Sequence, residues 1–220
     1  PGSISPVVCT TAAAFWSKSD LKAAVNACLK LSATGDCSNG VHGPIADWDV
    51  SAVSEMSGMF AKASSFDVAR LNWDMSRVTS MQGMFFKATS MNTDVSMWDV
   101  SRVTDMTRTF SGASSFNGDV SKWDVSNVES MDYMFFHAKS FRQHLYGDNW
   151  FRSKASKYHM FEGSQGSLSL TKRHEYAVDQ PLPKRDLIAR TPTTTLSVAS
   201  TTNRATICPR CGKFRKSSRV

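Results

Sequence analysis

The sequence predicts an α/β repeat solenoid, a coil of short strands and short helices with an N-terminal helical cap and a mostly irregular C-terminal tail. Three observations predict it. A 25-residue motif recurs four times between residues 48 and 147, an amphipathic pattern precedes it, and a basic stretch with few aromatic residues follows it. A fixed period of this length is typical of solenoids, in which each unit buries its apolar face against its neighbours.

The repeat is marked by columns of like residues at a constant spacing of 25 positions. The columns are Trp48, Trp73, Trp98 and Trp123; Asp49, Asp74, Asp99 and Asp124; Val53, Val78, Val103 and Val128; Met56, Met81, Met106 and Met131; Phe60, Phe85, Phe110 and Phe135; Ala63, Ala88, Ala113 and Ala138; and Phe66, Met91, Phe116 and Phe141. So many coincidences at one spacing identify the 25-residue unit as the unit of structure.

Each unit carries two periodicities, which predict a short strand followed by a short helix. Val95, Trp98 and Val100 have the spacing at which residues of a strand point inward, so Asp99 faces outward. Further on, residues at positions i, i+3, i+4 and i+7 share one face of a two-turn helix. They are Met56, Met59, Phe60 and Ala63 in the first unit and Met106, Thr109, Phe110 and Ala113 in the third. The predicted helix N-caps are Ser54, Thr79 and Thr104.

An amphipathic helix before the repeats is predicted to cover the open edge of the first unit. Ser17 and Asp20 form a start that resembles a capping box. One face of the helix is apolar, and its residues are Leu21, Val25, Cys28 and Leu29.

The register slips after the fourth unit, which predicts a degenerate fifth turn as the C-terminal cap. Trp150 follows Trp123 by 27 residues, yet residues 158–163 still repeat the Met-Phe pattern. The predicted divisions are an N-terminal segment with the helical cap at 1–47, four repeats at 48–147, the degenerate turn at 148–165 and a basic extended tail at 166–220.

The repeat resembles that of the BspA-like, or mycoplasma-lipoprotein-like, surface proteins, a variant leucine-rich repeat. The strings that carry the resemblance are WDVSRVTDM at 98–106, ASSFNGDVSKW at 113–123 and the lead-in GPIADW at 43–48. The resemblance implies a leucine-rich-repeat-like right-handed coil and a role in protein binding or adhesion, and it supplies no catalytic residues.

Two units depart from the family pattern. Ala69 and Arg70 stand in the first unit in place of an Asp-Val pair, and Arg142 and His144 stand in the fourth in place of Asn and Asp. We expect the turns at these positions to be locally distorted.

The basic excess of the chain lies in its last part. Residues 151–220 hold fourteen Lys and Arg against four Asp and Glu, a net charge of +10, while the whole chain has a net charge of +7. This stretch is rich in Ser, Thr and Pro, a composition that does not order itself alone. Its last basic residues, Lys213, Arg215 and Lys216, are predicted to bind RNA or another nucleic acid, an anionic membrane or an acidic protein surface.

The column Asp49, Asp74, Asp99 and Asp124 permits two interpretations. In one, each carboxylate accepts hydrogen bonds from its own or the next turn, as short polar side chains do. In the other, the column forms an acidic surface that binds a basic partner or a calcium ion.

Phe86 and Phe136 each follow the buried Phe of a Met-Phe-Phe string, at a position that the helical period turns away from the core. Exposed Phe lowers solubility without stabilising the fold, so a contact patch for a partner is one interpretation. Partial burial between neighbouring helices is the other.

Cys28, at the end of the cap helix, and Cys37 are candidates for a disulfide, which would require an oxidising compartment. Two reduced cysteines are equally consistent with the sequence. Cys9 has no evident partner.

Cys208 and Cys211 form half of a zinc-ribbon-like site, and a closed zinc site needs four ligands. Completion by another chain or by His159 and His174 would make zinc the cofactor. An exposed thiol pair, a local disulfide and a thioredoxin-like redox pair are the alternatives. No other cofactor is expected.

The expected function is non-catalytic: a protein-protein interaction scaffold that uses the rigid repeats and the basic tail. No phosphate-binding loop, Gly-x-Ser-x-Gly or His-Glu-x-x-His string is present, and no nucleophile, base and orienting group recur together. Two alternatives stay open. One is a permanent accessory subunit of a large assembly, organellar and photosynthetic or otherwise membrane-associated, and the other is a nucleic-acid-binding protein that acts through the Cys-x-x-Cys tail.

The compartment is argued only indirectly. The chain begins at Pro1, so we expect a fragment or a processed form whose targeting peptide has been removed, at the cell surface, secreted, or in an organelle such as a plastid. No apolar run approaches the roughly 20 residues that span a bilayer, so no transmembrane segment is expected.

Overall fold

The computed structural model describes residues 14–170, which belong to the first of two units of the chain, Pro1–Tyr176. The regular elements of this part are few. They are helix α1 (Lys18–Leu31), a 3-10 turn (Ile45–Asp47), strand β1 (His144–Tyr146), the one-turn helix α2 (Asp148–Phe151) and strand β2 (Ser167–Ser169). Strands β1 and β2 pair in parallel, with Leu145 opposite Leu168.

Successive units are joined by a ladder of backbone hydrogen bonds in place of long strands. In each unit four alternate N–H groups donate to carbonyl oxygens of the following unit: Met56, Gly58, Phe60 and Lys62 donate to Ser80, Gln82, Met84 and Phe86. The pattern recurs from the second unit to the fifth, giving sixteen bonds of 2.7–2.9 Å. We call this part of the molecule the turn ladder, residues 56–62, 80–87, 105–112, 130–137 and 156–162.

The two-turn helices predicted within the repeats are wrong for the described units. Residues 56–63 and their equivalents are consecutive turns, in which most of the remaining N–H groups bond three residues back, as Met59 does to Met56 at 3.2 Å, while Ser57 N–H donates to the Glu55 side chain. A helix is excluded there because alternate N–H groups are committed to the next unit and two residues per unit have positive φ. Thr79 is therefore not a helix N-cap, since its N–H and hydroxyl both donate to Ser54 O.

The strand predicted over Val95, Trp98 and Val100 is also absent as a regular strand. The parallel pairing between repeats consists of isolated bridges, such as Glu55 with Ser80 and Ser80 with Asp105. The inward direction of the three side chains is nevertheless present, because all three are buried.

The core is a stack of aromatic rings in register. Rings of the central Phe column lie nearly parallel, with centroids 5.3–5.6 Å apart, and the column consists of Phe60, Phe85, Phe110, Phe135 and Phe161. Phe116 and Phe141 form a second, parallel column 5.9 Å apart. Each added unit therefore buries its rings against the unit before it, and the apolar area removed from water supplies most of the stabilisation.

The tryptophan column connects each unit to the previous one. The buried indole Nε1 of Trp98 donates to Leu71 O at 3.1 Å, and that of Trp123 donates to Val95 O at 3.1 Å. Each indole thus packs its apolar part in the core and satisfies its polar atom on the neighbouring backbone.

The departure at Ala69 and Arg70 is a one-residue shift. Leu71 fills the buried place that Val95 holds in the next unit, while Arg70 is exposed and pairs with Asp94 at 3.2 Å. The shift keeps a cation out of the core.

The departure at Arg142 leaves the stacking intact. Along this edge, Asn117 N–H donates to the Asn92 side chain and Arg142 N–H donates to the Asn117 side chain, both at 2.9 Å. Arg142 contributes only its backbone N–H to this row, so an Asn side chain is not needed there. The register slips beyond this point, because Trp150 in α2 follows Trp123 by 27 residues and Ser156 pairs with Ser130 at an offset of 26.

Helix α1 lies at the first end of the stack, where the predicted amphipathic helix was placed. The Ser17 hydroxyl accepts from Asp20 N–H at 3.1 Å, and the helix buries Leu21, Val25 and Cys28. Lys22 Nζ donates to Gly58 O at 2.7 Å and to Met59 O at 2.6 Å. Met59 O is a ladder carbonyl that no preceding unit covers, and the side chain of Lys22 satisfies it, whereas Gly58 O also accepts from Ala61 N–H at 3.2 Å.

Candidate interaction surface

The outer face of the turn ladder is built on left-handed backbone. Two positions in each of the five units have φ between 50° and 73°. They are Gly58, Lys62, Gly83, Lys87, Arg108, Gly112, Tyr133, His137, His159 and Gly163. Glycine adopts this conformation without strain, whereas other residues pay about 1 kcal/mol or more. Six of the ten positions nevertheless hold a cationic or aromatic side chain, a histidine counting as either.

Aromatic side chains cluster on this face in the fourth and fifth units. Tyr133 is the centre: it stacks on His159 at 5.5 Å and meets Tyr158 and Phe136 edge-on, each at 5.5 Å between centroids. The guanidinium of Arg108 lies over its ring at 5.1 Å. Tyr158 is 59% exposed. We call Arg108, Tyr133, Phe136, Tyr158 and His159 the aromatic cluster.

The two phenylalanines predicted to form a contact patch both lie on this face, and both are half-buried. Phe136 packs against Tyr133 in the aromatic cluster. Phe86 borders a shallow recess in the first three units, with Lys87 Nζ over its ring at 5.2 Å. The structure separates the two rings between different parts of the face, so they do not form one patch by direct contact.

The predicted aspartate column is engaged in local hydrogen bonds. Asp99 accepts from Ser101 N–H at 3.0 Å, and Asp49 accepts from Ser51 N–H and its hydroxyl. Hydrogen bonds from Ser101 lower the pKa of Asp99, with the hydroxyl as the larger cause, and those from Ser51 lower the pKa of Asp49. Asp74 and Asp124 accept in the same way from Ser76 and Ser126.

Within the described part of the chain, no three His, Cys, Asp or Glu side chains converge as metal ligands would. The contacts of the aspartate column are hydrogen bonds from the serines two residues ahead, as in turns.

Cys28 and Cys37 are joined by a disulfide that links α1 to the loop after it, and both residues are buried. The other predicted sites lie outside the described residues: Cys9, the pair Cys208 and Cys211, and the basic residues Lys213, Arg215 and Lys216.

Comparison with known proteins gives a family. A family model described as a Mycoplasma protein of unknown function, DUF285, matches residues 30–92 and 68–171. Together the two matches cover residues 30–171, more than half of the chain. The chain belongs to the DUF285 family. Membership is consistent with the resemblance of the repeat to BspA-like surface proteins.

The two other comparisons, with curated proteins and with solved structures, found no match. A search of residues 14–170 for a helix with the length and apolar character needed to cross a bilayer gives none.

Sequence reasoning singled out Phe136 of this DUF285 chain as a contact residue but missed the aromatic cluster around Tyr133. Its residues do not follow the apolar columns, because Tyr133 and His159 stand where the first two units have Gly58 and Gly83. The signal was present in the aligned repeats: a column that mixes glycine with bulky side chains indicates a backbone position with positive φ.

Proposed function

We propose that this DUF285 chain is a non-catalytic protein-interaction scaffold whose repeats form a solenoid and whose binding surface is the outer face of the turn ladder. The observation that carries the proposal is the aromatic cluster. It places a tyrosine, a phenylalanine and a histidine around Tyr133, next to an arginine, on one face of the turn ladder.

The composition of the cluster supports binding. Tyr and Arg are enriched where proteins bind each other, because they bury a large apolar area and keep a polar group available. Tyr158 exposes most of its surface and is adjacent to Tyr133. The rings already contact one another. A partner that covers the cluster therefore gains contact area without the entropy cost of ordering flexible side chains.

The backbone beneath the cluster supports the same proposal. Tyr133 N–H donates to Tyr158 O, and Phe135 N–H donates to Met160 O. The positions of the rings are thus fixed by bonds between units. Tyr133 and His159 hold left-handed conformations at sites where glycine costs less. When a residue other than glycine holds a strained backbone conformation and presents its side chain on the outer face, the strain favours a functional role for that side chain.

The test compares binding by two variants of the full chain. Tyr133→Gly combined with Tyr158→Ala removes the central ring of the cluster and an exposed ring beside it, and the glycine suits the left-handed backbone of position 133. The matched control is Lys122→Ala combined with Lys154→Ala, which alters two exposed residues outside the cluster. Immobilised wild-type and variant chains are exposed to the extract from which the protein comes, and the retained proteins are quantified by mass spectrometry.

We expect a set of proteins that the wild type and the lysine control retain equally and that the tyrosine variant loses. Equal retention by all three chains contradicts the proposed surface. Far-UV and near-UV circular dichroism of each variant checks that a loss of retention is not a loss of fold.

A further inference from the structure

We infer that the turn ladder carries a second subsite in its first three units, next to the aromatic cluster and sharing Arg108 with it, which receives an acidic segment of a partner protein with one apolar side chain. This inference rests on the proposed protein-binding function and specifies the chemistry of the partner. The subsite is the recess beside Phe86, which Arg108 lines, together with Lys87 over the Phe86 ring and Lys62 at the equivalent position of the preceding unit.

The floor of the recess is formed by glycine backbone, without side chains. Gly58 and Gly83 lie at equivalent left-handed positions of adjacent units, and a methyl group added to either would reach only ordinary contact distance from Ala61 or Phe86. The space above them is therefore open. The recess measures about 380 Å³, more than one Leu or Phe side chain occupies. Its apolar wall is formed by Ala61 and Phe86, and Arg108 closes its far side.

The three cations have no acidic partner in the part of the chain that the structure describes. Among residues 14–170, no carboxylate lies within ion-pair distance of Lys62, Lys87 or Arg108, although four other ion pairs form. Two carboxylates close to the ladder in sequence already have other partners. Glu55 pairs with Lys18 and accepts from Ser57 N–H, and Asp105 accepts from Thr107 N–H.

The backbone positions the three cations together. Lys62 and Lys87 occupy the same left-handed position in adjacent units, and their N–H groups donate to Phe86 O and Ser111 O. Lys87 lies over Phe86 and Arg108 over Tyr133. Arg108 thus lines an apolar recess, Lys87 lies over its Phe86 wall and Lys62 follows its Ala61 wall in the chain, an arrangement complementary to carboxylates that flank an apolar side chain.

The contacts favour a polypeptide over a nucleic acid. Base-stacking modules need free aromatic faces among their cations. Here Lys87 lies over the Phe86 ring, and the Tyr133 ring contacts both Arg108 and His159. The apolar wall of the recess suits a side chain, and carboxylates on a peptide supply single charges that match separate lysines.

The probe is a fluorescein-labelled peptide of alternating Glu and Gly residues around a central Phe, and binding to the full chain is measured by fluorescence anisotropy. The test variant is Lys62→Gly combined with Lys87→Gly, which keeps the left-handed backbone relaxed. A second version, Lys62→Gln with Lys87→Gln, retains both β-carbons in case the glycines disturb the fold. Lys122→Ala with Lys154→Ala removes the same charge outside the recess.

We expect the wild type and the outside control to bind the peptide with similar Kd, and either recess variant to bind it about 5- to 30-fold more weakly. Binding should also weaken as salt is raised. Phe86→Ala should weaken binding, and replacement of the central Phe of the peptide by Ser should do the same.

Three results overturn the inference: no binding of the peptide to the wild type, equal weakening by the outside control, or equally tight binding of oligothymidylate with the same loss in the recess variants. The last result would make the recess a general polyanion site. The proposed function fails separately, because its test depends on Tyr133 and Tyr158, which the recess variants leave unchanged.

Discussion

At the scale of single residues, each left-handed position of the turn ladder has two requirements to meet, one for its backbone and one for its side chain. Lys62, Lys87 and Tyr133 must adopt left-handed backbone so that their N–H groups reach the next unit, and their side chains lie on the outer face. Glycine meets the first requirement at lower cost and cannot meet the second. Stability and binding are therefore separable at these positions by substitution to glycine.

Lys62→Gly should leave the free energy of unfolding unchanged or raise it by up to about 1 kcal/mol, because relief of the left-handed strain offsets the added entropy of the unfolded chain. The matched control is Ala61→Gly, next to it and outside the left-handed region, which should cost about 0.5–1 kcal/mol. Urea denaturation followed by circular dichroism measures both. A larger loss for Lys62→Gly than for Ala61→Gly would contradict the strain argument.

Asp99 gives a prediction for acid. Its pKa is lowered by hydrogen bonds from Ser101, so its folded pKa lies below its unfolded value of about 3.9. The stabilisation is therefore fully present above that value and is lost as pH falls through the folded pKa. Because Asp99 is exposed, Asp99→Ala should cost only about 0.5 kcal/mol at pH 7.

The Asp99 test is the difference in unfolding free energy between wild type and variant at pH 7 and at pH values below the folded pKa of Asp99. The difference should shrink in acid. Asp99→Asn keeps an acceptor for Ser101 without a titrating group. The unfolding free energy of this variant should therefore vary with pH without the contribution from ionisation of Asp99. A difference for Asp99→Ala that grows in acid would refute the assignment.

At the scale of elements, sequence patterns predicted positions better than conformations. The spacing of Met56, Met59, Phe60 and Ala63 fits one face of a helix, and these residues do share the inward side of the unit. A run of turns with bonds three residues back keeps nearly the same spacing. What decides between them is whether N–H groups find partners in the next unit, and no local pattern contains that information.

Helix α1 shows that local sequence signals can suffice to predict a cap of the repeats. Helix α1 has its N-cap, its apolar face and its acidic first turn within fourteen residues, so its own sequence specified it. The role of Lys22 was invisible, because its acceptors Gly58 and Met59 lie 36 and 37 residues away. The aromatic cluster was missed for the same reason, since it joins three units.

Lys22→Met should destabilise the protein by about 1–2 kcal/mol, because Met59 O loses its charged donor and Gly58 O keeps only the Ala61 N–H. Lys18→Met, on the same helix, removes only an exposed ion pair with Glu55 at 3.7 Å and should cost at most about 0.5 kcal/mol. Urea denaturation of both variants provides the comparison. Equal small losses would show that Lys22 does not close the ladder.

At the scale of the molecule, the described units repeat one set of bonds. The sixteen ladder bonds, the Phe rings and the indole bonds all connect a unit to its immediate neighbours. If the repeats form a solenoid, as proposed, stability is approximately a sum over units and their interfaces. Removal of one complete unit should then shorten the stack without abolishing it.

Deletion of residues 81–105 joins Ser80 directly to Met106 and keeps every column in register. We expect a folded, cooperatively unfolding protein with native near-UV circular dichroism and a lower urea midpoint than the wild type. Deletion of residues 81–93 removes about half a unit and places the wrong residues in the core, so it should unfold. An unfolded product from the complete-unit deletion would argue against the solenoid.

The ladder also has a mechanical consequence. Its bonds run from one unit to the next, so tension applied along the direction of stacking loads the four bonds of an interface together. When an interface yields, the released unit contributes 25 residues, about 80–90 Å of extended chain. Under a pulling force the protein would lengthen in nearly equal steps, each set by the period of its own sequence.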